Sequence, residues 1–166
     1  MAVVETKATS ISNRDSSPVV LSNPSVSRSP MLEAVGTIET NGDDSAGSKY
    51  YFGSVPSNAR ISQVLLSCDG NNTSGAMDIG LYSSTLDGGA VADADLFASA
   101  QAIGSVLANS DVTHESGIFG IEDVEKPVWE ALGLTEDPKV LYDVVGTITT
   151  ADDAADTISL KIRYVE

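Results

Sequence analysis

At 166 residues the chain is one domain by size, long enough to bury roughly 70% of its unfolded surface without metal or disulfide staples. Its 24 acidic residues against nine lysines and arginines leave a net charge of −15, which repels phosphate backbones and anionic membrane surfaces and so argues against nucleic acid or membrane as a partner. The single cysteine, Cys68, excludes an intramolecular disulfide, and no run approaches the roughly 20 apolar residues of a membrane span or the core of a secretion signal, so the product is expected to stay in the cytosol that makes it unless lysis releases it.

The charge is uneven. Residues 1–30 hold Lys7, Arg14 and Arg28 against Glu5 and Asp15, a net +1, and the other 136 residues carry −16. This first stretch is rich in serine, is punctuated by Pro18, Pro24 and Pro30, and has only small apolar islands at Val3-Val4 and Val19-Val20-Leu21. Prolines disfavour helix and interior strand, and so few large apolar residues make no core. The sequence therefore predicts an extended N-terminal arm over 1–30, either a floppy leader or a segment that orders on a partner, and a β-sandwich domain over 31–166.

Within 31–166 the apolar residues recur with period two. Leu32, Ala34 and Ile38 share one parity, and a polar loop follows from Asn41 to Gly47. Lys49 to Val55 is an aromatic strand, with Tyr50, Tyr51 and Phe52 adjacent, ended by Pro56. The stretch from Ala59 to Tyr82 is the densest in apolar residues and reads as two strands joined by a polar turn. Ile61 to Cys68 has apolar residues on both parities, Ile61 and Leu65 against Val64, Leu66 and Cys68, as expected of a central strand covered on both sides. Met77, Ile79 and Leu81 alternate with Asp78, Gly80 and Tyr82, and Asp69 to Gly75 is turn chemistry.

Val91 to Ile103 is assigned as strand by its neighbourhood, and Asn109 to Gly120 as a polar, glycine-punctuated loop. One short helix is predicted over Val124 to Leu132, with Asp123 as cap, Pro127 in its first turn, Val128 and Leu132 as an apolar pair beside Trp129, and Gly133 as a left-handed stop. The chain ends in a hairpin. Tyr142, Val144 and Ile148 share one parity, Ile158, Leu160, Ile162 and Tyr164 another, and the acidic linker from Thr150 to Asp156 is expected to project into solvent. Seven or eight strands with short turns and one helix define an all-β fold, a β-sandwich of jelly-roll type.

Chemistry is sparse. The one histidine, His114, lies in Asp111-Val112-Thr113-His114-Glu115-Ser116-Gly117, without a nucleophile-turn motif, and reads as a loop imidazole bonded to Glu115 or to backbone. Carboxylate neighbours such as Asp93 with Asp95, or Glu122 with Asp123, arise by chance among so many acids. Asp152, Asp153 and Asp156 lack the spacing and turn glycine of a calcium loop. Gly88-Gly89 is followed by no lysine and no helix signature that would make it a phosphate cradle. Tyr50, Tyr51 and Phe52 are the one set that could stack on a sugar, although strand aromatics more often pack across strands. No catalytic, metal or cofactor-binding residue is assigned.

The segments Arg60-Ile61-Ser62-Gln63-Val64-Leu65-Leu66-Ser67, Asp78-Ile79-Gly80-Leu81-Tyr82, Asp93-Ala94-Asp95-Leu96-Phe97-Ala98-Ser99-Ala100 and Arg163-Tyr164-Val165, with the Met1-Ala2-Val3 opening, resemble small virion structural proteins of short-tailed bacteriophages. Within that group the chain is most similar to capsid cement, or decoration, proteins. The resemblance implies a jelly roll made in the host cytoplasm and set on the outer capsid surface. Its implied partners are the major capsid protein and further copies of itself, as a dimer rather than a trimer, with no cofactor and no enzymatic activity. On this reading the arm engages the shell through Lys7, Arg14, Val19, Val20, Leu21 and Arg28. The alternatives are another virion role, at a head fibre base or in the tail, and a carbohydrate-binding sandwich module.

Overall fold

The computed structural model describes all residues except 1–5, 28, 43, 72, 73 and 152. The chain divides into two compact units, residues 1–30 and 31–166. The first is not extended throughout, contrary to the reading from its prolines. Helix α1 runs over Thr9–Asp15 and a single turn, α2, over Pro24–Ser27. The prolines explain the difference, because Pro18 falls beyond the end of α1 and Pro24 opens α2, in the first turn, where an N–H has no intrahelical acceptor to lose.

In the second unit the described strands are β1 (Leu32–Glu39), β2 (Lys49–Pro56), β3 (Arg60–Cys68), β4 (Ala76–Ser83), β5 (Val91–Ala102), β6 (Leu107–Asp111), β7 (Leu141–Thr150) and β8 (Thr157–Val165). They form two antiparallel sheets, ordered β1-β8-β3-β6 and β2-β7-β4-β5, and so make a β-sandwich. Four of the pairings are nested: β1 with β8, β2 with β7, β3 with β6 and β4 with β5. The chain thus folds back along its length, and the doubled strip rolls so that β8 also meets β3 and β7 also meets β4.

One expected pairing is absent. The two strands of the C-terminal "hairpin" belong to different sheets, and so do the two strands of the Ala59 to Tyr82 stretch. In each case the loop carries the chain across the sandwich, and the two strands press their apolar sides on one core from opposite directions. The core joins Val64, Leu66, Ile158, Leu160 and Ile162 of the first sheet to Met77, Ile79, Leu81, Phe97, Val144 and Ile148 of the second. Ile61 joins this face as well, although it has the wrong parity. An extra residue at Ser62 shifts the pairing with β8 between Ile61 and Gln63, which turns Ile61 inward and leaves Leu65 outward.

The segment expected to be one helix is two short pieces. Asp123–Glu125 is a 3-10 turn, and helix α3 spans Val128–Ala131. Lys126 is extended, as a residue before proline prefers, and this separates them. Asp123 is not an α-helix cap; its carboxylate accepts Gly120 N–H at 2.8 Å and Lys126 Nζ at 2.6 Å. The N–H groups of Val128 and Trp129 are satisfied by Ala59 O and Ser57 O, which ties α3 to the β2–β3 turn. Val128 is buried, and Gly133 at φ +74° stops the helix as predicted. Strand β6 was not expected, because its Leu-Ala-Asn-Ser-Asp carries no apolar alternation; it is a short edge strand held by β3.

Candidate interaction surfaces

In the first unit Lys7 Nζ and Arg14 Nε converge on the Asp15 carboxylate at 2.8 and 2.7 Å. The Arg14 and Lys7 hydrogen bonds hold that carboxyl below the usual range. Beyond α1, the Ser16 hydroxyl lies 2.6 Å from Asn13 O and 2.9 Å from Pro18 O, and accepts Val20 N–H at 3.1 Å, so the chain folds back along the helix end. The turn presents Val19, Val20 and Leu21 to solvent, Leu21 at 91% exposure. Together with Ile11, Arg14 and Pro24 they line a concave surface of about 520 Å³. Of the arm residues singled out in the sequence, the fold brings Lys7 and Arg14 to one carboxylate and groups Val19, Val20 and Leu21. Arg28 lies outside the described residues.

A second surface is the outer face of the β1-β8-β3-β6 sheet. Alternation sends Glu33, Val35, Thr37 and Glu39 of β1 outward against Arg163, Lys161, Ser159 and Thr157 of β8. Cross-strand bonds run along the rows. Arg163 donates to Glu33 at 2.9 Å and to Gln63 at 3.0 Å, and Gln63 donates to Asp111 at 3.0 Å. Lys161 donates to Asn109 at 2.9 Å, Thr37 to Ser159 at 3.0 Å, and Thr157 to Glu39 at 2.6 Å. Three acids, Glu33, Glu39 and Asp111, and three bases, Arg60, Lys161 and Arg163, leave this face neutral on a domain of −16. Like-charge repulsion is therefore weakest there.

The groups weighed for chemistry are committed elsewhere. His114 Nδ1 lies 2.8 Å from Phe119 O and its ring stacks on Phe119, while Glu115 accepts Ser99 N–H at 2.8 Å. The Cys68 thiol is buried against Ile103 O and Ser105 O, and that burial pushes its pKa up. Asp93 accepts Asp95 N–H at 3.2 Å. The aromatic trio is split by the strand, with Phe52 buried, Tyr50 packed on the core and donating to Asp44, and Tyr51 alone half exposed.

The linker before β8 does not simply project into solvent. Asp156 is fully buried, and the cause lies far away in sequence. Its N–H donates to Thr40 Oγ1 at 3.0 Å, its carbonyl accepts Thr40 N–H at 2.9 Å, and its Oδ1 accepts Asn71 N–H at 3.1 Å. The carboxyl of Asp69 accepts Thr157 N–H at 3.0 Å while Asp69 N–H donates to Thr157 O at 3.3 Å, which sets this carboxyl beside that of the neighbouring Asp156. Nothing local in the sequence marks this pair, whose members lie on separate loops.

Comparison of the sequence with protein-family models and with curated proteins gives no match. Solved structures do share the fold. A chain of the cyanophage Pam1 capsid asymmetric unit aligns with a TM-score of 0.51 at 13% identity, over 91% of this chain and 96% of that one. A chain of the capsid of Ralstonia phage GP4 aligns with a TM-score of 0.54 at 16% identity, over 82% and 84%. At these identities the likeness defines a class of fold, a sandwich found in phage capsid structures.

Proposed function

We propose that this chain is a structural protein of a bacteriophage virion that sits on the outer capsid surface as a cement protein, bridging neighbouring subunits of the major capsid protein. The observation that carries the reading is the near end-to-end correspondence with a chain of the Pam1 capsid asymmetric unit, 91% of one chain on 96% of the other. The nested strand pairing supports a jelly roll, the architecture expected of such a protein. Its charge favours the outside of the shell, because a domain of −16 facing packaged DNA meets repulsion that weakens only over about 8–10 Å in physiological salt. The arm supplies the contact to the shell, through Lys7, Arg14 and the exposed Val19-Val20-Leu21 turn. Repeated engagement of adjacent subunits then raises avidity.

The sandwich meets a second copy of itself through the outer face of the β1-β8-β3-β6 sheet. This near-neutral face spans about 500 Å² by strand spacing and length, hence about 1,000 Å² for a two-fold pair, at the lower limit of a specific interface. Lys161→Glu takes the face from 0 to −2 and is expected to weaken self-association by about tenfold or more in sedimentation velocity. Its thermal stability should stay within about 1 kcal/mol of the parent, since the bond to Asn109 is exposed. Unchanged association would move the interface elsewhere.

The function itself is tested by electron cryo-microscopy of heads assembled with and without this chain. Regular added density on the outside of the shell is the expected result. Density confined to the interior or to the tail overturns the cement reading.

A further inference from the structure

The network around Asp156 joins three connections at one end of the sandwich: β1–β2 through Thr40, β3–β4 through Asp69 and Asn71, and β7–β8 through Asp156 itself. Among the described residues no lysine or arginine is bonded to either carboxyl. Among the described residues, the titratable groups facing Asp156 are Asp69 on the β3–β4 connection and the Cys68 thiol at the end of β3, and the β1–β2 connection offers the Thr40 hydroxyl. Asp156 Oδ1 is occupied by Asn71 N–H, but Oδ2 is buried with no hydrogen-bond donor. A buried carboxylate oxygen without a donor, beside a second carboxylate, is electrostatically untenable unless something positive lies between them. Oδ2 has almost no accessible surface, which leaves room for a proton.

We propose that Asp69 and Asp156 share one proton as a latch that fastens these three connections, and that loss of this proton in neutral solution loosens them. Oδ2 of Asp156 donates to the Asp69 carboxylate in the latched state, and deprotonation sets two acids against each other in a closed space. Burial, and then the bond to Asp69, raises the Asp156 pKa to about 6, while Asp69 is held below its ordinary value by the same bond. For a carboxyl raised above its unfolded value, the stabilisation is complete below about 4 and is lost as pH rises towards and past about 6. The carboxyls held low, such as Asp111, Asp123 and Asp137, titrate below that window and do not mask it.

The test is amide exchange by NMR on the full chain in EDTA, corrected for intrinsic rates, at the N–H groups of Thr40, Asn71, Asp156 and Thr157. Their protection is expected to fall by about tenfold or more between pH 5 and pH 7.5, one pKa unit of linkage or more. In Asp156→Asn the side-chain amide replaces the shared proton, and the four amides should stay equally protected at both pH values. Parent protection that does not change with pH, or an equal fall in the variant, overturns the latch. Should Asp156→Asn fail to fold, Asp69→Asn serves instead. Its amide donates to an ionised Asp156, so the pH dependence moves to lower pH; an unmoved profile refutes the proposal.

Discussion

Gly36→Ala is expected to destabilise the sandwich by about 3 kcal/mol and to lower its melting temperature by roughly 6–12 °C in calorimetry. Gly36 faces inward on β1, opposite Leu160, where the edges of the two sheets come together. A bulge between Tyr51 and Gly53 breaks the pairing of β2 with β7, and the backbone of Phe52 lies against Gly36. A methyl group there would overlap the Phe52 carbonyl oxygen and lie 2.7 Å from its carbon and Cα. No rotamer relieves a clash with backbone, so the sheets must separate locally or β1 must lift away. Gly53→Ala is the matched control. Its added methyl meets only Ala34 Cβ at 3.4 Å and Ile162 Cδ1 at 3.6 Å, ordinary contact distances, so its melting point should stay within a few degrees of the parent. Equal effects of the two substitutions would refute the close approach.

Removing residues 1–30 is expected to leave a folded domain that no longer co-sediments with capsid shells. The cut falls between the two compact units, and among the described residues the members of the buried core all belong to the second. Circular dichroism should therefore retain its β-sheet signal, with a cooperative melt. The lost binding has a physical size. Fully burying Val19, Val20 and Leu21 on a partner contributes about 1.5–3 kcal/mol for each side chain, so even partial burial is worth orders of magnitude in affinity. Leu21→Asp is the point version, at the most exposed of the three, and is expected to weaken shell binding by about tenfold or more. Undiminished binding by the truncation would transfer the contact from the arm to the sandwich.

Much of the architecture was legible because strand alternation is a local signal. Met77, Ile79 and Leu81, and Ile158, Leu160 and Ile162, are all buried, as their parity required. Where the reading went astray, the missing information was not local. The bulge at Ser62 reverses parity near the start of β3 and appears only in its register with β8. Strand β6 has no apolar pattern and exists because β3 offers it a free edge. Arm helix α1 has no buried residue and shows no apolar stripe, so its prolines outweighed its helical turns in the reading.

Which residues face inward along most strands, where the chain turns, and that the charge falls on the domain rather than the arm can all be read from the amino-acid order. Hydrophobic period, turn chemistry and charge are properties of neighbours in the chain. Which strands pair emerges with the folded sheets, because alternation fixes the face a strand buries and says nothing about the edge it bonds along. Folding placed β3 and β4, and likewise β7 and β8, in opposite sheets. By doing so it brought Asp69 to Asp156 from separate loops, since carboxyls so distant along the chain meet only when the sheets close over a common core.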